Sequence, residues 1–157
     1  MLPAKTVFVR NIGTVLLSLV LIAGCGQGPR AGTPIANCPD DQVEFLAVNK
    51  SGDIEHADGQ FLKLVKRDDQ KLVIVDFWAT WCGPCRMLSP NLEKIKKSWG
   101  DKIEVVKVDV DKCPTLARFF DVRSIPDVRV YRHGTQVADF LGVMPRAEIE
   151  ALLKSLQ

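Results

Sequence analysis

Leu72-Val73-Ile74-Val75-Asp76-Phe77-Trp78-Ala79-Thr80-Trp81-Cys82-Gly83-Pro84-Cys85 is the stretch on which the fold turns. Its first seven residues form a continuous apolar run rich in β-branched side chains. Such a run reads as a strand buried on both faces, here with one acid, Asp76, embedded in it. After Pro84 the apolar residues Met87, Leu88, Leu92, Ile95 and Trp99 recur at three- and four-residue spacing, with Lys94, Lys96 and Lys97 between them. That is the period of an amphipathic helix. Pro90 falls inside it and predicts a kink, and Gly100 ends it. Cys82 therefore stands at a helix N-terminus, where free backbone N–H groups and the helix dipole favour negative charge. A thiol in that place becomes a thiolate, and so a nucleophile, more readily. Cys85 follows three residues later, about one helical turn, so the two sulfurs can reach each other.

Working outward, Val43 to Val48 reads as a short first strand. Asp58 is placed to cap a helix carrying Phe61, Leu62, Leu64 and Val65. Ile103 to Asp109 is a second buried strand, and Cys113 to Phe120 a short helix with Pro114 in its first turn. Asp127 to Arg132 and Gln136 to Leu141 read as two strands joined by a hairpin over Arg132-His133-Gly134-Thr135. Ile149, Leu152, Leu153 and Leu156 share one face of a last helix from about Pro145. The order β-α-β-α-β-α-β-β-α implies an α/β fold: a mixed central sheet flanked by helices on both faces.

The stretch from Val75 to Cys85 resembles the active-site region of the thioredoxin family, and the likeness continues over roughly Leu72 to Leu156. Lys107 in Val106-Lys107-Val108-Asp109 matches the family's buried lysine, Ser124-Ile125-Pro126 its cis-proline loop, and Gly134 and Gly142 its two later glycines. The resemblance implies the thioredoxin fold and a thiol–disulfide oxidoreductase in which Cys82 attacks a substrate disulfide and Cys85 resolves the mixed disulfide. It implies that Asp76 is a buried acid with a raised pKa that passes a proton to or from Cys85, and that Lys107 moderates that shift. Trp81, Gly83, Pro84 and Gly142 would form an apolar docking surface. Ile125 would pair with an extended substrate segment, and a cis Pro126 would shape the groove. The redox-active pair Cys82–Cys85 serves without a further cofactor. A zinc site would need a second ligand pair, and Cys38, Cys113, His56 and His133 offer no matching spacing.

The chain departs from the family pattern after the cis-proline, where Asp127 stands in place of the usual threonine. If its carboxylate approached the thiols it would disfavour the thiolate, and Asp127→Thr would lower the Cys82 pKa. The segment 40–70 is also longer and less regular than the family's first strand and helix. Cys38 reads as a free or opportunistically paired thiol, and Cys113, which resembles an accessory cysteine of some thioredoxins, as a partly buried small residue. His56 and His133 read as exposed residues without a role.

The first 25 residues form an address. Lys5 and Arg10 precede an apolar run from Ile12 to Ala23, which ends Leu21-Ile22-Ala23-Gly24-Cys25. The run is short for a membrane span, which takes roughly 20 apolar residues, and fits a secretory h-region. Its end resembles a bacterial lipobox, which implies cleavage before Cys25 and acylation of that cysteine, each buried CH₂ adding about 0.8 kcal/mol of membrane affinity. Gly26 after the anchor favours the outer membrane by resemblance to enterobacterial lipoproteins. The expected division is a signal peptide over 1–24, a Gly/Pro-rich anchored linker over 25–40, and a thioredoxin-like domain over 41–157. Of 21 basic residues, two precede Cys25, leaving 19 against 19 acidic. A neutral domain with no basic run argues against nucleic-acid binding. The composition, 46% hydrophobic and 25% charged, is that of an ordinary globular domain, and a monomer is expected.

Together these readings point to a lipid-anchored protein-disulfide reductase on the extracytoplasmic face of the bacterial envelope. Its partners would be protein disulfides, the membrane itself, and a membrane electron donor that re-reduces the pair. A net oxidant or isomerase, and a non-catalytic binding module, are the alternatives. Gly83-Pro84, with no histidine between the cysteines, favours the reductant. The intact cysteine pair argues against the module.

Overall fold

A computed structural model describes residues 39–157. The signal segment, Cys25, Cys38 and the linker before residue 39 lie outside the described residues. The elements are β1 (Gln42–Val48), β2 (Ile54–Gln60), α1 (Phe61–Val65), β3 (Leu72–Trp78), α2 (Gly83–Trp99), β4 (Ile103–Asp109), α3 (Pro114–Phe119), β5 (Asp127–Arg132), β6 (Thr135–Leu141) and α4 (Arg146–Ser155), with a 3-10 turn at Gly100–Lys102. One six-stranded mixed sheet runs in the order β2-β1-β4-β3-β5-β6. β3 and β4 are parallel, as a helical crossover requires, while the β1–β2, β1–β4, β3–β5 and β5–β6 pairs are antiparallel.

Alternation along β3 divides the interior in two. Val73, Val75 and Phe77 face one side, with Phe61 and Val65 of α1 and Leu116 of α3. Leu72 and Ile74 face the other, with Leu88, Leu92 and Ile95 of α2 and Ile149 and Leu153 of α4. Helices therefore cover both faces, and β3 and β4 carry almost no exposed residue. The β5–β6 hairpin turns at His133 (φ 50°) and Gly134 (φ 72°). Two consecutive positive φ values suit the right-handed twist of a two-residue hairpin, and glycine takes one of them without strain.

The amino-terminal part corrects one expectation. Asp58 does not cap a helix. It lies within β2, which pairs residue for residue with β1 from Gln42↔Gln60 to Val48↔Ile54. The turn between them is held by Asn49, whose Oδ1 accepts the N–H groups of Ser51 and Asp53, an Asx arrangement. β2 is an edge strand, so it has no apolar alternation to announce it. The helix that follows has only five residues, and the Leu62 N–H at its start donates to Asp40 Oδ1, 2.9 Å away and 22 positions upstream. Within α2, Lys94 and Lys97 are exposed, but Lys96 is not. It is buried, and its Nζ donates to the Ile103 carbonyl at 2.9 Å and meets Glu104 at 3.3 Å, tying the end of α2 to the start of β4.

Candidate active site

Strand β3 ends at Trp78 and α2 begins at Gly83, so the cysteine pair occupies the sharp turn between a buried strand and a helix start. Cys82 is the N-cap of α2. Its sulfur accepts the Cys85 backbone N–H at 3.1 Å, and the residues between them, Gly83 and Pro84, begin the helix. A sulfur so placed is stabilised as a thiolate by the helix terminus. The two cysteines are joined as a disulfide. Cys85 is fully buried, while Cys82 keeps 3% of its surface exposed. The asymmetry makes Cys82 the sulfur that an incoming disulfide can reach.

Residues distant in sequence converge on that sulfur. The Ile125 carbonyl oxygen lies 3.7 Å from Cys82 Sγ, and the Ile125–Pro126 peptide is cis. The Pro126 carbonyl accepts the Gly142 N–H at 2.8 Å, which brings the end of β6 to the same surface. Gly142 has φ +78°, a conformation that a side chain would strain. Trp81 is largely exposed, and its Nε1 donates to Asp111 Oδ2 at 2.8 Å, fixing the ring beside Cys82. Met87, Leu141 and Val143 also stand exposed, and Leu141 and Val143 flank Gly142. A groove of about 360 Å³ has Trp81, Val110, Val122, Arg123, Ser124 and Ile125 among its lining residues.

Asp76 is fully buried on the face of β3 that α2 covers. Parallel register sets it opposite Lys107 of β4. Lys107 Nζ donates to Asp76 Oδ2 at 3.5 Å and to Ser89 Oγ at 2.9 Å, and it sits 4.6 Å from the centre of the Trp78 ring. Burial pushes the Asp76 carboxyl up. The charge and hydrogen bond of Lys107 pull it down, the charge of Asp127 adds to the rise, and the balance lies at about 6. The structure thus sets Cys82, flanked by Trp81 and Gly83-Pro84, beside the Ile125–Pro126 loop and Gly142, with Cys85 buried behind it and Asp76 and Lys107 paired at the end of the strands below.

Other sequence-marked residues lie apart. Cys113 is a buried free thiol at the start of α3, 3.5 Å from the Gln42 carbonyl, and burial raises its pKa. His56 is exposed but has a partner: its Nδ1 is 2.8 Å from Glu44 Oε1. Two residues escaped the sequence reading. Ser89, a ligand of the Lys107 ammonium, left no signal, because a serine on a helix has none. Arg129 did leave one. It alternates with valines in Asp127-Val128-Arg129-Val130, a charge two places from an acid in a strand otherwise buried. In the structure Arg129 is buried, and its Nε and Nη2 donate to Asp127 Oδ1 and Oδ2 at 3.0 and 2.8 Å. The Asp127 carboxylate is therefore committed to Arg129, and what its charge reaches is Asp76.

Comparison with known proteins gives the family. The thioredoxin family model matches residues 53–155. A thioredoxin of Porphyra purpurea is 42% identical over 81 residues, 52% of this chain and 76% of that protein. A thioredoxin of Alicyclobacillus acidocaldarius is 40% identical over 96 residues, 61% of this chain and 90% of that one. Among solved structures, the germline-specific thioredoxin Deadhead of Drosophila melanogaster superposes with a TM-score of 0.53 at 32% identity, covering 57% of this chain and 84% of its own. The match begins at Asp53, so β1, which pairs with β4 on the side away from β3, lies outside it. With a strand–turn–helix that presents Cys82, a buried Cys85 behind it and a cis-proline loop across from it, this chain belongs to the thioredoxin family and is a thiol–disulfide oxidoreductase.

Proposed function

We propose that this chain is a lipid-anchored protein-disulfide reductase of the bacterial cell envelope, recharged by a membrane electron donor. The observation that carries the reducing direction is the uncharged Gly83-Pro84 pair between the cysteines. Cys82 Sγ is stabilised by a backbone N–H and the helix terminus, with no charged residue between the two sulfurs to hold the dithiol reduced. A less stabilised dithiol gives up its electrons more readily. The Cys82 thiolate attacks one sulfur of a substrate disulfide, and the other sulfur departs and takes a proton. Asp76, with a pKa of about 6, is largely a carboxylate at neutral pH and in that form is suited to receive the Cys85 proton. The Cys85 thiolate then attacks Cys82 Sγ, releases the second substrate thiol and leaves the Cys82–Cys85 disulfide. Two electrons have passed to the substrate, so a donor dithiol must restore the pair.

The segment ending at Cys25 supports an extracytoplasmic site, where that donor is a membrane thiol protein and not a soluble cytosolic reductase. Linker residues 25–40 would hold the domain of residues 41–157 off the surface, on the periplasmic or outer face. The deciding measurement is the reduction potential of the Cys82–Cys85 pair. A value near about −270 mV, that of cytosolic thioredoxin, supports a reductant, and one near −120 to −180 mV makes the chain an oxidant or isomerase. Cys25→Ala tests the anchor: the protein should leave the membrane fraction, and retention there would refute lipidation. Cys85→Ala should trap the donor as a mixed disulfide on Cys82.

A further inference from the structure

We propose that Arg129, together with Asp127, is a clasp that closes the base of the loop 121–126 and holds Ile125 where an extended, disulfide-bearing protein segment docks. The inference rests on the protein-disulfide reading above and names the device that serves it. Loop 121–126 leaves α3 at Phe120 and enters β5 at Asp127. Arg129 Nη2 donates to the Phe120 carbonyl at 2.7 Å and to Asp127 Oδ2 at 2.8 Å, while Nε donates to Asp127 Oδ1 at 3.0 Å. One guanidinium thus ties together the residues on either side of the loop. The charge lies beside the rings of Phe77 and Phe120, 5.5 Å from each centre, so the clasp is also fixed to the strand that leads to Cys82. Within the loop, Val122, Arg123, Ser124 and Ile125 line the groove beside Trp81, and the Ile125 carbonyl faces Cys82 Sγ.

A buried ion pair is a poor way to gain stability, because desolvation offsets the attraction, and an apolar pair of similar volume commonly serves as well. Its planar fork, however, fixes geometry in a way an apolar side chain or an ammonium does not. Arg129 touches neither sulfur and acts through the loop, so it is a positioning residue. Its loss should weaken capture of protein disulfides and spare small disulfides, which need no strand-like docking.

The test compares single-turnover oxidation of the pre-reduced full chain by insulin and by 5,5′-dithiobis(2-nitrobenzoate), in wild type, Arg129→Lys and the charge-free double variant Asp127→Thr/Arg129→Leu. The insulin rate should fall about tenfold in the double variant, the scale of a modest misplacement of a reacting group, and less in Arg129→Lys. The small-disulfide rate should stay within about twofold. Amide exchange over residues 121–126 should quicken in both variants. An equal fall with both oxidants, or a folded double variant with wild-type insulin rate, would overturn the clasp. A wild-type chain that reduces the small disulfide but not insulin would strike the protein-reductase reading instead. Amide exchange then decides the clasp alone, and unchanged protection of the loop overturns it.

Discussion

Two buried acid–base pairs lie on opposite faces of the same sheet, and they are built differently. Asp76 and Lys107 face each other across parallel strands through one contact of 3.5 Å, and Asp76 Oδ1 has no hydrogen-bond partner among the described residues. Asp127 and Arg129 lie two positions apart on one strand, joined by two hydrogen bonds, with a third from the guanidinium to a backbone carbonyl. In the first pair burial outweighs the partner, and the acid titrates near neutrality at about 6. In the second, burial opposes the Arg129 charge, but the hydrogen bonds and charge of Asp127 prevail and its pKa is raised. A loosely held carboxylate can exchange a proton. A bidentate pair cannot, and is suited only to fixing shape. The fold thus keeps the labile pair on the α2 side, beneath the helix that carries the thiols, and the fixed pair on the side that anchors the docking loop.

Breaking the fixed pair should produce the largest effect. Arg129→Leu leaves Asp127 as an uncompensated buried carboxylate and frees the Phe120 carbonyl, and should cost about 3–5 kcal/mol. Denaturant unfolding of Arg129→Leu and of Asp127→Thr/Arg129→Leu measures it. The double variant should recover most of the loss, because it buries no charge. If the two are equally unstable, the cost is lost packing against Phe77 and Phe120 and not the orphaned charge.

The labile pair should show itself through pH. Asp76 binds its proton more tightly folded, at about 6, than unfolded, at an ordinary value of 3.8. Its contribution is therefore fully present below pH 3.8, is lost as pH rises through 6, and is flat above. Asp76→Asn abolishes this dependence. Measured by denaturant unfolding, the variant's stability relative to wild type should improve by about 3 kcal/mol between pH 3.5 and pH 8. A difference constant with pH would mean that Asp76 is not raised at all. The same variant should slow resolution of the mixed disulfide by Cys85.

The contrast also explains what could be read from sequence. Asp76 was legible as the one acid embedded in a long apolar β-branched run, whereas Lys107, in a strand that also carries Glu104 and Asp109, was legible only through its match to the family's buried lysine. Cys82-Gly83-Pro84-Cys85 was legible because the hydrophobic period changes from strand to helix on either side of it. Arg129 has the same kind of signal as Asp76. What sequence could not supply was the partner, because Phe120 offers a backbone carbonyl, and carbonyls carry no residue code. β2 was illegible for a different reason. As an edge strand half in water, Ile54-Glu55-His56-Ala57-Asp58-Gly59-Gln60 has no apolar face, and its Asp58 imitated a helix cap. Only the Asn49-Lys50-Ser51-Gly52 turn marked the hairpin.

Lys107→Met separates the two influences on Asp76. Without the ammonium, burial acts unopposed, and the carboxyl should titrate about one pH unit higher, the low end of the effect of a nearby opposite charge. NMR titration of the Asp76 carboxyl follows it directly. A midpoint that stays near 6 would show that the 3.5 Å contact contributes nothing and that Lys107 serves Ser89 and the Trp78 ring alone.

The smallest expected effect decides whether the two faces communicate. The Asp127 charge raises Asp76 through the thickness of the sheet, although its carboxylate is held by Arg129. Asp127→Asn removes that charge and leaves the Arg129 cation without its neutralising partner. Both changes favour ionised Asp76, so its midpoint should move down by a few tenths of a pH unit, opposite to the shift in Lys107→Met. The size is small because the Asp127 charge is the least of the influences on Asp76, behind burial and the charge and hydrogen bond of Lys107. An unchanged Asp76 midpoint would make the docking clasp and the proton site independent. A downward shift would mean that the residue standing where this family usually has threonine tunes the buried acid and anchors the loop at once.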